Sequence, residues 1–298
     1  METPVPYLGE GLSLLSAVLW ALAVIMFRKS GEKVHPLALN TFKSLLAFVL
    51  FIPTIWIFGE NLFYPAPTSA YIILLFSGVI GIGFGDTLFF NSLNLLGAGL
   101  AAIVVCMYSP FIICLSTLFL KESLTMLQII GVILIIFAVL IATVEKRTKS
   151  ISRRNLVLGL MCGALASVCM AIGIVIIKPT LARFPLIWLT EVRLIGGVGT
   201  LLLILLFHKK GSKMIDSLIS TKSWSYTISG SLIGAYLAML VWLAGMKYTQ
   251  ASVASALNQT NTIFIFIFAG IILKESINVR RALGIIFAFI GSFFVSFG

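Results

Sequence analysis

The stretch Gly131-Val132-Ile133-Leu134-Ile135-Ile136-Phe137-Ala138-Val139-Leu140-Ile141-Ala142 is twelve consecutive apolar residues with no alternation and no charge. A transmembrane strand would alternate apolar and polar positions over about ten residues, so this run reads as helix buried in lipid. The rest of the chain has the same character. Its 298 residues are 60% hydrophobic and 10% charged, against about 45–50% and 25% in an ordinary soluble domain. A water-soluble fold is excluded by that balance. Disorder is excluded as well, since 23 Phe and 5 Trp are the reverse of a polar, aromatic-poor composition. The fold class expected is an all-α integral membrane protein.

A helix needs about 20 apolar residues to cross the hydrocarbon core. Breaks at Pro, Gly and charge divide the chain into ten such spans. They run Leu8 to Phe27, Pro36 to Ile57, Ser69 to Leu95, Ala98 to Leu120, Thr125 to Thr143, Asn155 to Ile177, Pro185 to Phe207, Trp224 to Met246, Ala251 to Leu273 and Val279 to Phe297. The connectors are short, which leaves no room for a soluble catalytic domain. No basic region precedes the first span and no small-residue cleavage site follows it, so it reads as a span rather than a signal peptide.

The most basic connector, Val144 to Arg154, lies at the midpoint and separates two related halves. Shifted by 153, Leu120-Lys121-Glu122-Ser123 falls on Leu273-Lys274-Glu275-Ser276. Ala98, Ala101, Phe111, Ile112, Gly131 and Ile133 fall on identical residues too, making ten identities in 36 positions. So biased a composition gives roughly four by chance. Pro36-Leu37 matches Pro185-Leu186, and Lys43 falls on Arg193 with one gap. The organisation expected is a first five-helix repeat over 1–144, a basic linker over 145–154 and a second repeat over 155–298. An odd number of spans per repeat inverts the second half, an arrangement many secondary transporters use to alternate access.

The net charge of +11 would suggest nucleic acid in a soluble protein. Here the basic residues sit in connectors, where insertion bias and anionic headgroups account for them, and no basic face carries stacking aromatics. Connectors after the odd-numbered spans, with Arg280 and Arg281 at the start of span ten, carry 15 Lys and Arg, against four in the remaining connectors and both termini. The positive-inside bias then puts both termini outside.

Ionisable residues at membrane depth are costly and are functional candidates by default. Four lie at that depth, away from the ends of their spans: Lys43, Asp86, Glu191 and Arg193. Lys43 and Asp86 can pair within the first half, whereas Glu191 and Arg193 are two apart on one helix and cannot face each other. Lys43 and Arg193 are candidates to bind a substrate carboxylate or phosphate. Asp86 and Glu191 are candidates to carry a coupling proton. A second polar patch, Asn258-Gln259-Thr260-Asn261, lies near the middle of span nine. Its repeat counterpart is Val105-Cys106-Met107-Tyr108, followed by Ser109 and Pro110, where the proline removes a backbone bond and invites a kink. Asn258, Gln259, Asn261 and Tyr108 are therefore expected to line a cavity, the alternative being interhelical hydrogen bonds. Trp20, Tyr236 and Trp242 are candidate aromatic walls.

Other chemistry lacks material. Cys106, Cys114, Cys162 and Cys169 lie in apolar segments without CxxC spacing, and His35 and His208 fall in connectors. No metal site, cofactor or catalytic triad is expected, and the chain does not read as an enzyme. Gly81-Ile82-Gly83-Phe84-Gly85-Asp86 lacks both the GxGxxG spacing and a preceding strand, so its glycines read as close helix packing or a hinge rather than a phosphate cradle.

Two Leu-Lys-Glu-Ser motifs, each followed eight residues later by a Gly-led apolar helix, resemble the EamA branch of the drug/metabolite transporter superfamily. So does the stretch Gly85-Asp86-Thr87-Leu88-Phe89-Phe90-Asn91-Ser92-Leu93 with Leu96-Gly97-Ala98 and Pro110. The resemblance covers nearly the whole chain. It implies efflux or exchange of small polar or amphipathic metabolites, amino acids among them, through a central cavity in the cell (inner) membrane. Members generally place both termini in the cytoplasm, opposite to the charge count, and the side stays open. The family also includes carriers of phosphorylated and nucleotide-linked metabolites, for which Lys43 and Arg193 are the minimum basic set. Glu122 and Glu275 read as structural, each stabilised at the N-terminus of the helix that follows it. The partners expected are a small-molecule substrate, the bilayer and protons, with the chain a monomer or homodimer. A non-transporting membrane accessory subunit is the alternative from another class.

Overall fold

The computed structural model describes residues 7–120, 125–143, 151–181, 183–248, 257–258, 260–275 and 279–297, and among these there is no strand. Six helical stretches are long and apolar enough to cross a membrane: Leu8–Ser30, Pro36–Ile57, Thr68–Leu96, Arg153–Ile177, Leu186–Phe207 and Trp224–Gly245. Shorter apolar helices account for Ala98–Ile112, Met126–Ala138, Asn261–Ile272 and Ala282–Phe294.

The first two helices are α1 (Leu8–Ser30) and α2 (Pro36–Ile57). Proline opens α2 where its missing N–H costs nothing, and the His35 side chain accepts from the Leu37 N–H as a cap. The third long stretch is not a regular α-helix throughout. It runs as α3 (Thr68–Gly78), a π-helical segment Val79–Gly85 and α4 (Asp86–Leu96). The Asp86 N–H bonds to the Gly81 carbonyl five residues back, the wider spacing that defines a π turn.

A break at Cys106 and Met107 separates α5 (Ala98–Val105) from α6 (Tyr108–Leu120). Pro110 has no N–H to return to this turn, so the interruption falls where the proline predicts it. There follow α7 (Met126–Thr143), α8 (Arg153–Leu181), α9 (Leu186–Phe207), and a connector helix α10 (Gly211–Ile219) that the reading of spans did not contain. Next come α11 (Trp224–Gly230), a second π segment Ser231–Ala238, and α12 (Met239–Tyr248). The last two are α13 (Asn261–Ile272) and α14 (Val279–Phe297). The two π segments end at Gly85 and Ala238, 153 residues apart, the same shift that aligns the sequence.

Packing interleaves the halves. α2 and α3 lie against α9, α4 lies along α8, α1 lies along α12 and α13, and α7 pairs with α14. Glycine sets the tightest crossing. A Cβ at Gly78 would fall 1.9 Å from the Arg193 carbonyl oxygen, and one at Gly196 would fall 2.2 Å from the Leu75 carbonyl oxygen. Backbones can approach so closely only where both helices lack side chains. The glycine-rich run before Asp86 is thus used for helix contact and for the π turn.

Candidate functional site

α9 packs against both α2 and α3, α2 also touches α4, and this neighbourhood holds several buried polar groups. Asn40 and Lys43 are three residues apart on α2 and so share a face. Both are buried, Lys43 at 5% exposure. Lys43 Nζ forms an ion pair with Asp86, the first residue after the π segment. The ammonium also lies over the Phe90 ring, 5.5 Å from its centroid. Phe90 is one turn beyond Asp86, so one helix face supplies both the carboxylate and the aromatic surface.

Asn40 holds the π segment from the side. Its Nδ2 donates to the Ile82 carbonyl at 2.8 Å and to the Thr87 Oγ1 at 2.9 Å, and Thr87 donates to the Gly83 carbonyl at 2.7 Å. A side chain inserted into a helical ladder is one of the recognised causes of a local departure from α geometry. Asn40 is absent from the four ionisable residues singled out by depth. The available signal was its position one turn before Lys43.

Arg193 enters from α9 in the other half. Its Nε donates to Ser77 Oγ at 3.0 Å, and Ser77 in turn donates to the Gly173 carbonyl at 2.6 Å. The guanidinium extends across the π segment, where a Cβ added at Gly81 would lie 3.7 Å from Nη2. Asp86 and Tyr108, the first residue of α6, are both close enough to act on it electrostatically. Lys43 and Asp86 meet Arg193 around the π segment, with Tyr108 of α6 within electrostatic range of the guanidinium.

Glu191 is 1% exposed and neither carboxyl oxygen has a hydrogen-bond partner among the described residues. Its neighbours one turn away on α9, Ile187 and Leu194, pack with Ala47, Phe51 and Ile55 of α2. The carboxyl group thus lies on the α9 stripe that faces α2, beside the Lys43 stripe. An unpaired carboxylate in such surroundings is strongly unfavourable, and a bound proton or cation removes that cost.

The remaining candidates are distributed around this centre. Trp20 is half-buried and stacks on Phe89, with centroids 6.5 Å apart, next to Phe90. Asn258 Nδ2 donates to Ser16 Oγ of α1 at 2.7 Å, and Asn261 reaches back toward Asn258 Oδ1 at 3.5 Å. Asn258 therefore makes an interhelical bond, one turn of α1 from Trp20. Gln259 lies outside the described residues. Tyr236 sits elsewhere. Its hydroxyl bonds Thr54 Oγ1 at 2.8 Å, about 16 Å along α2 from Lys43 at 1.5 Å per residue.

Two acids outside the centre were misread or missed. Among the described residues Glu275 caps a helix other than the one that follows it. Its carboxylate accepts from the N–H groups of Ala98 at 2.8 Å and Gly99 at 3.2 Å, at the start of α5 in the other half. The reason is the backbone. Lys274 is left-handed with φ 54°, and the Glu275 N–H closes on the Ala269 carbonyl six residues back, so the chain folds over the end of α13. Glu122 lies outside the described residues. Glu60, after α2, accepts from the Trp188 N–H at 2.9 Å and so caps the first turn of α9.

Residues 7–144 and again 157–297 match the EamA-like transporter family. An uncharacterized transporter of Archaeoglobus fulgidus is 26% identical over 276 residues, covering 92% of each chain. An uncharacterized transporter of Methanothermobacter thermautotrophicus is 24% identical over 223 residues, covering 75% of this chain and 64% of that one. A crystal structure superposes with TM-score 0.67 at 15% identity, over 95% of this chain and 94% of the other, which shows a shared fold. The buried charges at helix crossings are those of a multi-pass membrane transporter, and the chain belongs to the EamA-like transporter family, within the drug/metabolite transporter superfamily.

Proposed function

We propose that the protein is a secondary transporter of small zwitterionic or carboxylate-bearing metabolites, amino acids among them, across the cell membrane. The observation that carries this is the division of the cations: Lys43 is taken by Asp86, while among the described residues Arg193 donates a hydrogen bond only through Nε. The terminal nitrogens of Arg193 are then available to a substrate carboxylate, for which the guanidinium fork is suited. A phosphorylated substrate would bring more negative charge than this one cation matches, so the monocarboxylate reading is preferred. Phe89, Phe90 and Trp20 supply apolar surface for the rest of the substrate.

Glu191 is the candidate for a coupling proton, because Asp86 already has its counter-ion and Glu191 has no partner among the described residues. Movement is assigned to two inverted five-span repeats, 1–144 and 155–298, within ten spans. The paired π segments and the two family matches support that reading. The π segments are natural hinges, since a widened turn sits at the centre of each third span of a half.

The test is counterflow in proteoliposomes loaded with an amino-acid mixture. Saturable uptake of a labelled amino acid is expected in the wild type. The Arg193→Gln variant is expected to lose it, and Glu191→Gln to retain exchange but lose accumulation driven by a pH gradient. Uptake of the decarboxylated amine by the wild type as fast as the amino acid, or a loss of amine uptake in Arg193→Gln as large as the loss of amino-acid uptake, would overturn the carboxylate assignment.

A further inference from the structure

The connector between α9 and α11 is a small amphipathic element with an unused outer face. α10 turns back sharply from the end of α9: a Cβ at Gly211 would fall 1.9 Å from the Leu205 carbonyl oxygen. Its inner face is committed, since Met214 packs with Leu37, Leu201 and Leu205, and Leu218 meets the main core. Its outer face carries Ile215 and Ile219, both exposed and one turn apart. The residues just before it, Leu206 and Phe207, are exposed at the end of α9. Apolar side chains in these positions fit the acyl boundary of a bilayer.

Charge accompanies the apolar stripe. Residues 208–223 carry four lysines, Lys209, Lys210, Lys213 and Lys222, against Asp216 alone. All four are exposed and none is in an ion pair among the described residues. Lysines placed immediately beyond a span, around an exposed Ile stripe, sit at headgroup level. Their chemistry matches the anionic phosphates there.

We propose that α10 with Lys209, Lys210 and Lys213 is a binding surface for anionic phospholipid headgroups, and that its occupancy steadies the start of α2. The second part rests on a direct link: Ser217 Oγ of α10 accepts from the His35 N–H at 3.0 Å, at the cap of α2. α2 is the helix that carries Asn40 and Lys43, five and eight residues beyond that cap. The surface is independent of which substrate is carried.

The experiment is thermal unfolding of the purified full chain in detergent with phosphatidylglycerol, phosphatidylcholine or inorganic phosphate added. Phosphatidylglycerol is expected to raise the midpoint by several degrees, with the other two near baseline. The K209Q/K210Q/K213Q variant is expected to keep the wild-type baseline and lose the rise, and R153Q/R154Q, at the start of α8, to keep it. Equal shifts with both lipids, an undiminished rise in the α10 variant, or a rise with phosphate alone would overturn the lipid surface. In vesicles containing phosphatidylglycerol, amides 35–44 are expected to exchange more slowly than in pure phosphatidylcholine. Identical exchange would remove the link to α2.

Discussion

The Asn40 side-chain amide donates to the Ile82 carbonyl at 2.8 Å, so a residue of α2 completes the hydrogen bonding of a π turn in the neighbouring span. The same nitrogen reaches Thr87, and the turn so held places Asp86 against Lys43. Asn40→Leu keeps the branched shape and removes both donors. It is expected to cost about 1–3 kcal/mol, the range for leaving a buried acceptor unpaired. Thermal unfolding should show the loss, and uptake should fall with it; unchanged values for both would mean that the π turn stands without Asn40.

The Lys43 and Asp86 side chains are 7% and 17% exposed. Removing either charge leaves the other buried and uncompensated, with an expected loss of about 3–5 kcal/mol. Lys43→Gln and Asp86→Asn are each predicted to unfold at lower temperature than the double variant. A double-mutant cycle on detergent-solubilised protein measures this. Additive effects would show that the two groups do not depend on each other.

Gly78→Ala places a methyl group where the Arg193 carbonyl already stands, at 1.9 Å. Backbone must move, and a destabilisation of about 1–3 kcal/mol or more is expected from overpacking. Gly199→Ala is the control, because a Cβ there meets nothing within 4 Å. That change is expected to be neutral or to stabilise α9 by about 0.5–1 kcal/mol through helix propensity. Comparable losses for both would show that the close crossing of α3 and α9 is not what the substitution disturbs.

Burial and the nearby His208 hold the His35 imidazole below its ordinary value of 6.5. The unfolded chain therefore binds the proton more readily than the folded one, and stability rises with pH over this window. The contribution is present above pH 6.5 and is lost as the pH falls below it. The His35→Asn variant keeps a side-chain acceptor at the cap and removes the titration. Its unfolding midpoint is expected to fall less than that of the wild type between pH 7 and 5; parallel curves would rule out His35 as the source.

Much of the fold was legible because lipid imposes local rules. Uninterrupted apolar runs, the break ahead of Pro110 and the 153-residue repeat need no knowledge of neighbours. Lys43, Asp86, Glu191 and Arg193 were legible as candidates on the same ground, since charge at membrane depth is exceptional wherever it occurs. α10 was not, because nine residues between charged turns carry too weak a pattern to separate from a loop. Glu60 was missed for a similar reason: nothing around it marks a connector acid as a cap for Trp188.

The amino-acid sequence by itself determined the solvent this chain folds in, its helical class and the handful of side chains too polar for that solvent. Only tertiary structure decided how those side chains are shared: Asp86 to Lys43, Arg193 to Ser77, Glu191 to no described partner, Glu275 to Ala98 across the halves. The physical reason is range. Hydrophobicity and helix breaks are sums over neighbouring residues, whereas these pairings depend on which backbones approach closely enough, and that is set by glycines on one helix meeting carbonyls on another.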